Sequence, residues 1–72
     1  MLTMSPDELR EAHRRMGLSA NTAALLYGVS DGRTVRRWWS GDRDIPGPVI
    51  VLTQALMKSA CVREYFGVHF SR

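Results

Sequence analysis

A single cysteine in a chain of only 72 residues is the feature that most limits what this sequence can fold into. Chains this short bury only about 60% of the surface that they expose when unfolded, so they usually need a disulfide, a metal or self-association. Cys61 has no partner for a disulfide within the chain, and His13 and His69 do not stand at the spacing of zinc ligands. We therefore expect no metal and no cofactor, but a tight helical core, a self-association interface, or both.

The composition is that of a globular domain that does not enter a membrane. Hydrophobic residues make up 44% and charged residues 24% of the chain, which is typical of folded rather than disordered proteins. Its apolar stretches, such as residues 49–52, are far shorter than the roughly 20 residues that a membrane helix needs. No signal peptide is visible at the N-terminus. These features predict a cytoplasmic protein in which Cys61 stays a thiol.

Capping and stop signals divide the chain into four or five helices. Ser5, Pro6 and Glu8 form a capping box with proline at the first helical position, and Gly17 suits the end of this first helix. Similar signals predict helices over residues 19–27, 32–40 and about 46–59, and a short turn or helix over residues 62–66. Strand signals are nearly absent. The predicted fold class is therefore all-α, a compact four- to five-helix bundle that forms one domain over residues 1–72.

Residues 19–40 combine two helices with a tight turn and a basic surface. Ala24 in the first of these helices lets the second cross close by, and Gly28 tolerates the positive φ of the turn. In the second helix Val35 and Trp38 form an apolar stripe. The opposite stripe carries Arg33, Arg36, Arg37 and Ser40. This is the layout of a helix-turn-helix, whose second helix can lie in the major groove of DNA.

The charge of the chain favours an anionic partner. Its formal net charge is +3, and of its ten basic residues only Lys58 is not arginine. Arginine matches phosphate groups and the guanine edge better than lysine does. For the three arginines of the stripe, the alternative interpretation is a solvated helix face, since Asp31, Asp42 and Asp44 lie nearby in sequence.

Four short segments carry a likeness to a known family: Leu18-Ser19, Gly28-Val29-Ser30-Asp31, Arg33-Thr34-Val35-Arg36-Arg37-Trp38 and Gly41. Together with residues 45–48, they resemble the phage-repressor/Cro-type (XRE-like) helix-turn-helix family over roughly residues 5–56. The resemblance implies a lambda-repressor-like bundle that binds operator DNA, usually as a two-fold dimer. It also implies that the third helix is the recognition helix.

The sequence departs from that family at three positions. Gly32 is one extra residue in the turn, which predicts either a wider turn or a recognition helix that starts one residue later. Ala20 stands where the family often has a glutamine that contacts phosphate. Leu25 stands where an exposed polar residue is usual, so we expect it to cover the C-terminal tail or a partner subunit.

The arginine stripe and the resemblance together indicate which residues contact DNA. Base reading is expected from Arg33, Arg36 and Arg37. Phosphate contacts are expected from Ser19, Asn21, Thr22, Ser30, Thr34 and Arg43. Ser30 and Asp31 are also expected to cap the third helix. The sequence thus predicts a sequence-specific transcriptional regulator rather than an enzyme, a repressor that binds double-stranded DNA as a homodimer.

Other polar and aromatic residues have structural roles in this interpretation. Trp38 is expected in the core, and Trp39 is expected to be half-buried, against either the fourth helix or the sugar-phosphate backbone. His13 and His69 lack recognisable partners, so each is expected to be structural or exposed. A solvated face of the first helix is expected to carry Arg10, Arg14 and Arg15. A nucleophilic role for Cys61 would need a base and a third group that the sequence does not indicate.

Apolar residues late in the chain allow two interpretations. One is that they close the core, and the residues concerned are Val62, Tyr65, Phe66, Val68 and Phe70. The other is a dimer seam formed by Leu25, Tyr65, Phe66 and Phe70. Such a surface also supports a second function, a protein-interaction module such as the antitoxin half of a toxin–antitoxin pair, because a fold does not fix a function.

Overall fold

Five helices make up the regular structure of residues 3–70, which are the residues that the computed structural model describes. In chain order they are α1 (Pro6–Arg15), α2 (Ala20–Tyr27), α3 (Gly32–Ser40), α4 (Gly47–Lys58) and α5 (Ala60–Phe66). No strand is present in this part of the chain, so the predicted all-α bundle is confirmed. The Cα radius of gyration is 11.2 Å, which is about the value expected for a compact chain of this length.

The start of α1 has the capping box that the sequence predicts. The Ser5 hydroxyl accepts a hydrogen bond from the Glu8 N–H at 3.1 Å, and the Glu8 carboxylate accepts one from the Ser5 N–H at 3.0 Å. The bond from the Ser5 N–H also lowers the pKa of Glu8. At the other end, Gly17 follows the helix with a φ of +67°. Both predicted ends of the first helix are therefore confirmed.

Two apolar clusters form the core. The first lies between α1, α2, α3 and the start of α4, and its buried members are Leu9, Ala20, Ala23, Ala24, Val35, Trp38 and Val49. The second lies between α1, α4 and the segment after α5, and its buried members are Ala12, Met16, Leu56 and Val68. Trp38 is only 2% exposed, which confirms its predicted place in the core.

The junction between α2 and α3 differs in detail from the prediction. Gly28 ends α2 with a φ of +73°, as expected. The cap of α3 is Asp31, whose carboxylate accepts the Arg33 N–H at 2.9 Å, so the expected capping role of Ser30 is wrong. Gly32 does not lengthen the turn, because it is the first residue of α3 itself.

Gly32 packs directly against the first turn of α2. A Cβ atom at this position would lie 3.0 Å from the backbone nitrogen of Asn21 and 3.1 Å from the carbonyl carbon of Ala20, and closer still to the Asn21 side chain. These distances are shorter than ordinary van der Waals contacts, so a larger residue would have to displace α2. Glycine at position 32 therefore fixes how closely the N-termini of α2 and α3 approach.

A partly buried chain of hydrogen bonds links one side chain from each of the first four helices. The Trp39 indole N–H in α3 donates to His13 Nδ1 in α1 at 2.9 Å. His13 Nε2 lies 2.7 Å from the Tyr27 hydroxyl in α2, which lies 2.6 Å from the Thr53 hydroxyl in α4. Thr53 donates in turn to the Val49 carbonyl at 2.7 Å. The prediction that His13 lacks partners is therefore wrong.

The geometry of this chain determines where each proton lies. Because Thr53 uses its one hydrogen on a carbonyl, it accepts from Tyr27, and Tyr27 accepts from the Nε2–H of His13. His13 is thus neutral, and its unprotonated Nδ1 faces Trp39. Burial lowers the pKa of His13 to about 4 and raises the pKa of Tyr27 to about 12, so both groups stay neutral at pH 7. The bond to His13 also places the half-buried Trp39 against α1.

The helix α5 is attached to the others through few contacts, since none of the residues Ala60–Phe66 is buried. Arg63 donates from Nη1 to the carbonyls of Leu56 and Met57, at 2.7 and 3.2 Å, and so caps the C-terminal end of α4. Directly after α5, Val68 enters the second apolar cluster. The helix is therefore held by this cap, by the half-buried Val62 within it and by the buried Val68 that follows it.

The late aromatic residues do not close the core. Tyr65, Phe66 and Phe70 are 84%, 41% and 37% exposed, so their predicted place in the core is wrong. Val62 and Val68 pack against the second cluster, as that interpretation requires. The apolar residues of this part of the chain are therefore divided: Val62 and Val68 face the second cluster, and the aromatic rings are exposed.

Candidate nucleic-acid interface

The outer face of α3 carries exposed arginines above a buried stripe. Val35 and Trp38 lie in the first cluster, 0% and 2% exposed. Arg33, Arg36 and Arg37 are all exposed on the other side of the helix. The two stripes that the sequence predicts for this helix are therefore present, and the charged groups are accessible to a large partner.

Asp31 both caps α3 and pairs with the first of these arginines. One carboxylate oxygen accepts the Arg33 N–H at 2.9 Å, and the other lies 3.3 Å from Arg33 Nη2. The hydrogen bond from the Arg33 N–H, together with the nearby guanidinium, lowers the pKa of Asp31. The Arg33 side chain is 81% exposed, so this ion pair is weak and can open toward an anion. Of the neighbouring candidates, Ser30 is exposed and Thr34 is half-buried.

Arg36 and Arg37 form no ion pair within residues 3–70. The carbonyl of Arg37 accepts hydrogen bonds from the Ser40 hydroxyl at 3.1 Å and from the Arg43 N–H at 3.3 Å. The second bond holds Arg43, an expected phosphate contact, at the C-terminal end of α3, where its side chain is exposed.

The expected phosphate contacts at the start of α2 lie on two different sides. Asn21 is exposed and lies beside Gly32, at the N-terminus of α3. The Ser19 hydroxyl accepts the Thr22 N–H at 3.1 Å and lies 2.7 Å from the Thr22 hydroxyl, so these two side chains bind each other. Thr22 lines a groove beside α5. The structure therefore brings Asn21 to α3 and directs Thr22 toward α5.

This groove lies between α2 and α5 and has a volume of about 460 Å³. The described residues that line it carry no charge, and they are Leu18, Thr22, Leu25, Leu26, Phe66, Gly67 and Val68. Leu25 is 83% exposed at its edge, and Tyr65 packs edge-to-face on Phe66 with ring centres 5.0 Å apart. Three of the four expected seam residues therefore form one continuous apolar surface.

Phe70, the fourth expected seam residue, lies in a neighbouring groove. The guanidinium groups of Arg63 and Arg15 lie 4.1 and 5.0 Å from the centre of its ring. These cation–π contacts hold the end of the chain against α1 and α5. Phe70 is therefore part of an intramolecular contact rather than of the apolar surface around Phe66.

A second arginine-rich feature joins α1 to α3, and sequence reasoning missed it. Arg10, Arg36, Trp39 and Ser40 line a cleft of about 320 Å³. The guanidinium of Arg10 lies 5.9 Å from the centre of the Trp39 ring. The three-residue spacing of Arg36 and Trp39 indicates that they are neighbours on α3. The approach of Arg10 is a tertiary contact, for which the sequence contains no pattern.

Comparison with known proteins adds no relative for this chain. No family model matches the sequence, and no curated protein matches it significantly. None of the helices in residues 3–70 is both long and apolar enough to cross a membrane. The same residues bring together no group of three His, Cys, Asp or Glu side chains that could hold a metal ion. A functional assignment must therefore rest on the geometry around α3.

Proposed function

We propose that this chain is a sequence-specific DNA-binding transcriptional regulator, similar to the phage-repressor/Cro-type (XRE-like) helix-turn-helix family. The observation that carries the proposal is the outer face of α3, where three arginines are exposed on a helix anchored by Val35 and Trp38. α3 lies in the major groove, where guanidinium groups bind guanine edges and phosphates. In this proposal residues 19–40 form the helix-turn-helix of a cytoplasmic repressor.

The surroundings of α3 support this orientation. Asn21 lies at the N-terminal end of α3, and Arg43 is held at its C-terminal end. Phosphate contacts at both ends of a recognition helix position it along the groove, while side chains on its outer face read the bases. The close packing at Gly32 keeps the two helices in a fixed relation, so that these contacts can form together.

Selection from a library of random DNA duplexes with the purified full chain tests the proposal. We expect one enriched palindromic sequence, with half-sites about 10 base pairs apart or a multiple of that spacing. Binding to the selected operator should weaken steeply with salt, because each phosphate contact releases counterions. A selection that enriches no sequence, or binding that does not depend on salt, would contradict the proposal.

A pair of variants distinguishes a base-specific contact from the nonspecific electrostatic attraction between a positive charge and DNA. Arg37→Ala should weaken operator binding about 10-fold or more, because a bidentate contact with guanine contributes about 1–3 kcal/mol. Lys58→Ala is the matched control, since it removes the same charge from the exposed end of α4. Both variants should unfold at the temperature of the wild type. Equal effects of the two variants on operator affinity would show that Arg37 reads no base.

We further propose that two copies associate through the apolar surface of Leu25, Tyr65 and Phe66. A two-fold dimer would bury this surface and double the length of DNA that is read. Phe66→Asp should therefore give a monomer in sedimentation experiments and weaken operator binding. Val51→Asp, which changes another exposed apolar residue, is the control and should leave the dimer intact. A wild-type chain that is monomeric at high concentration would contradict this part of the proposal.

The same surface favours a second candidate function, a protein-interaction module such as an antitoxin. The groove beside it is lined by uncharged residues, and Leu25 and Tyr65 are 83% and 84% exposed, which is a large exposed apolar surface for so small a chain. Under this function the full chain would bind no DNA sequence selectively, and Phe66→Asp would abolish binding to a protein partner. Under the first function Phe66→Asp changes the oligomeric state, and the arginines of α3 decide the affinity for DNA.

A further inference from the structure

Arg36 differs from the other two arginines of α3 by its neighbours. Arg33 and Arg37 stand four residues apart and form one row along the helix, whereas Arg36 and Ser40 form the next row. This second row borders the cleft that Arg10 of α1 also lines. Arg36 therefore lies at the edge of the outer face, where α1 meets α3.

Two guanidinium groups share this cleft without a counter-charge. Within residues 3–70 neither Arg10 nor Arg36 forms a salt bridge, and the described lining of the cleft contains no acid. Arg10 and Trp39 also line an adjoining cleft that contains Asp7 and Glu11, and Glu11 there accepts two hydrogen bonds from Arg14, one of them at 2.8 Å from Nε. Asp7 forms no salt bridge in this part of the chain. Two neighbouring cations repel each other, so this cleft favours an anion.

Trp39 gives the cleft a rigid wall. Its indole N–H is bound to the buried His13 at 2.9 Å, which fixes the plane of the ring. The Arg10 guanidinium lies 5.9 Å from the ring centre, at cation–π distance. The fixed ring therefore gives the Arg10 guanidinium a defined surface to lie against before an anion arrives.

We propose that Arg10 and Arg36 together bind one phosphate of the DNA backbone, at the edge of the major groove that α3 occupies. This inference rests on the proposed function. It assigns Arg36 to the backbone rather than to a base, and it adds α1 to the interface. Base edges lie at the floor of the groove and phosphates along its borders, so a contact shared with a second helix belongs at a border. Arginine forks match the tetrahedral oxygens of a phosphate.

Binding to two duplexes of equal length tests this site, one with the selected operator and one with its bases scrambled. Arg10→Ala and Arg36→Ala should each weaken binding to both duplexes by the same factor, about 10-fold, because a phosphate contact carries no sequence information. Arg37→Ala should weaken operator binding more than binding to the scrambled duplex. Lys58→Ala, with the same loss of charge outside the cleft, should have a clearly smaller effect than Arg10→Ala.

The salt dependence tests whether the two arginines share one phosphate. Each neutralised phosphate contributes about 0.9 to the slope of log K against log salt concentration. The double variant Arg10→Ala/Arg36→Ala should therefore lower the slope by about 0.9 in total, as a single lost contact would. Thermal unfolding of each variant should match the wild type, since both side chains are exposed.

Three results would overturn the inference while leaving the proposed function intact. Arg36→Ala could weaken only operator binding, which would make Arg36 a base-reading residue. Arg10→Ala could equal Lys58→Ala in its effect, which would place Arg10 outside the interface. The double variant could lose about 1.8 in slope, which would mean two separate phosphates. A wild-type chain that binds neither duplex would instead overturn the proposed function, and the phosphate site with it.

Discussion

The helices α1–α4 and the helix α5 are stabilised by different kinds of contact. Each of the first four contributes one side chain to the partly buried chain of hydrogen bonds through His13 and Tyr27. The same four helices supply most of the two apolar clusters. α5 has no buried residue within Ala60–Phe66 and is held by Arg63, by the half-buried Val62 and by Val68 after the helix.

Because of this difference, the helices that stabilise the fold are not the helix that presents the exposed aromatic residues. In residues 3–70 every buried side-chain polar atom has a hydrogen-bond partner, so the polar chain in the core leaves nothing unsatisfied. α1–α4 are therefore joined by the polar chain as well as by the apolar clusters, and we treat them as one four-helix unit. α5 instead presents Tyr65 and Phe66 to solvent, and it contributes more to the exposed apolar surface than to the core.

The largest effect is expected from Trp38→Ala, which should break the four-helix unit. Replacing a buried aromatic residue by alanine costs about 3–5 kcal/mol, which is comparable to the whole stability of a chain this small. We expect loss of the cooperative thermal transition, with α5 lost at the same time because it has no core of its own. Val51→Ala, at a 54% exposed position outside the proposed dimer surface, is the control and should melt like the wild type. A normal melting temperature for Trp38→Ala would show that the first cluster is not the centre of stability.

The next largest effect is an acid-induced loss of stability through His13. Its pKa is about 4 in the folded chain and 6.5 ordinarily, so the unfolded chain binds the proton more tightly. Stability should be full above pH 6.5 and decrease by up to about 3 kcal/mol as the pH falls through this range toward 4. Protonation would also place a hydrogen on Nδ1, opposite the Trp39 N–H.

Denaturant unfolding at several pH values measures this dependence. In His13→Gln the decrease between pH 6.5 and 4 should be much smaller, and what remains near pH 4 comes from carboxylates such as Glu8, whose pKa is lowered in the fold. In His69→Gln, which changes an exposed histidine, the full decrease should persist. A stability curve that is flat for the wild type in this range would mean that His13 is not neutral and buried.

A smaller effect is expected when one link of the polar chain is removed. Tyr27→Phe deletes the hydroxyl between His13 and Thr53 and leaves the His13 N–H without an acceptor, which should cost about 1–3 kcal/mol. Tyr65→Phe removes an exposed hydroxyl and should cost nothing measurable. Chemical denaturation of both variants gives the comparison directly. Equal stabilities would show that the chain of hydrogen bonds does not stabilise the four-helix unit.

The smallest effect is expected in the local stability of α5 alone, and it would show that α5 opens independently of α1–α4. Arg63→Ala removes the hydrogen bonds to the last carbonyls of α4 and the stacking on Phe70. Amide hydrogen exchange in α5 should become about 5-fold faster, which corresponds to about 1 kcal/mol of local stability, and exchange in α1–α3 should stay unchanged. Glu64→Ala, at an exposed neighbouring position, is the control. Faster exchange throughout the chain would mean that α5 belongs to the same cooperative unit.

The parts of the fold that the sequence predicted are those set by local rules. The capping box at Ser5, the turn at Gly28 and the buried Trp38 each follow from residue type and spacing within a few positions. The same local spacing places three arginines on one side of α3. Such features depend on backbone geometry that neighbouring residues determine.

The parts that it could not predict depend on contacts between distant residues. His13 meets Tyr27 and Trp39 only because three helices converge on it, and each of these side chains taken alone is compatible with an apolar or an exposed position. The cleft of Arg10 is of the same kind. The exposure of Phe66 was also undecided, because periodicity places a residue on a helix face but does not say whether another helix covers that face.

The close contact at Gly32 has a consequence for how the surface of α3 can change over time. A methyl group at this position would require α2 to move, so a substitution of Gly32 would disturb the packing of the two helices. The outward positions of the same helix can be substituted, since the side chains of Arg33, Arg36 and Arg37 are exposed to solvent and are not part of the core. Mutation can therefore rewrite the chemistry of the helix surface while its position in the molecule stays the same. One tightly packed position beside a solvent-exposed face therefore lets single substitutions change what the helix surface binds without moving the helix.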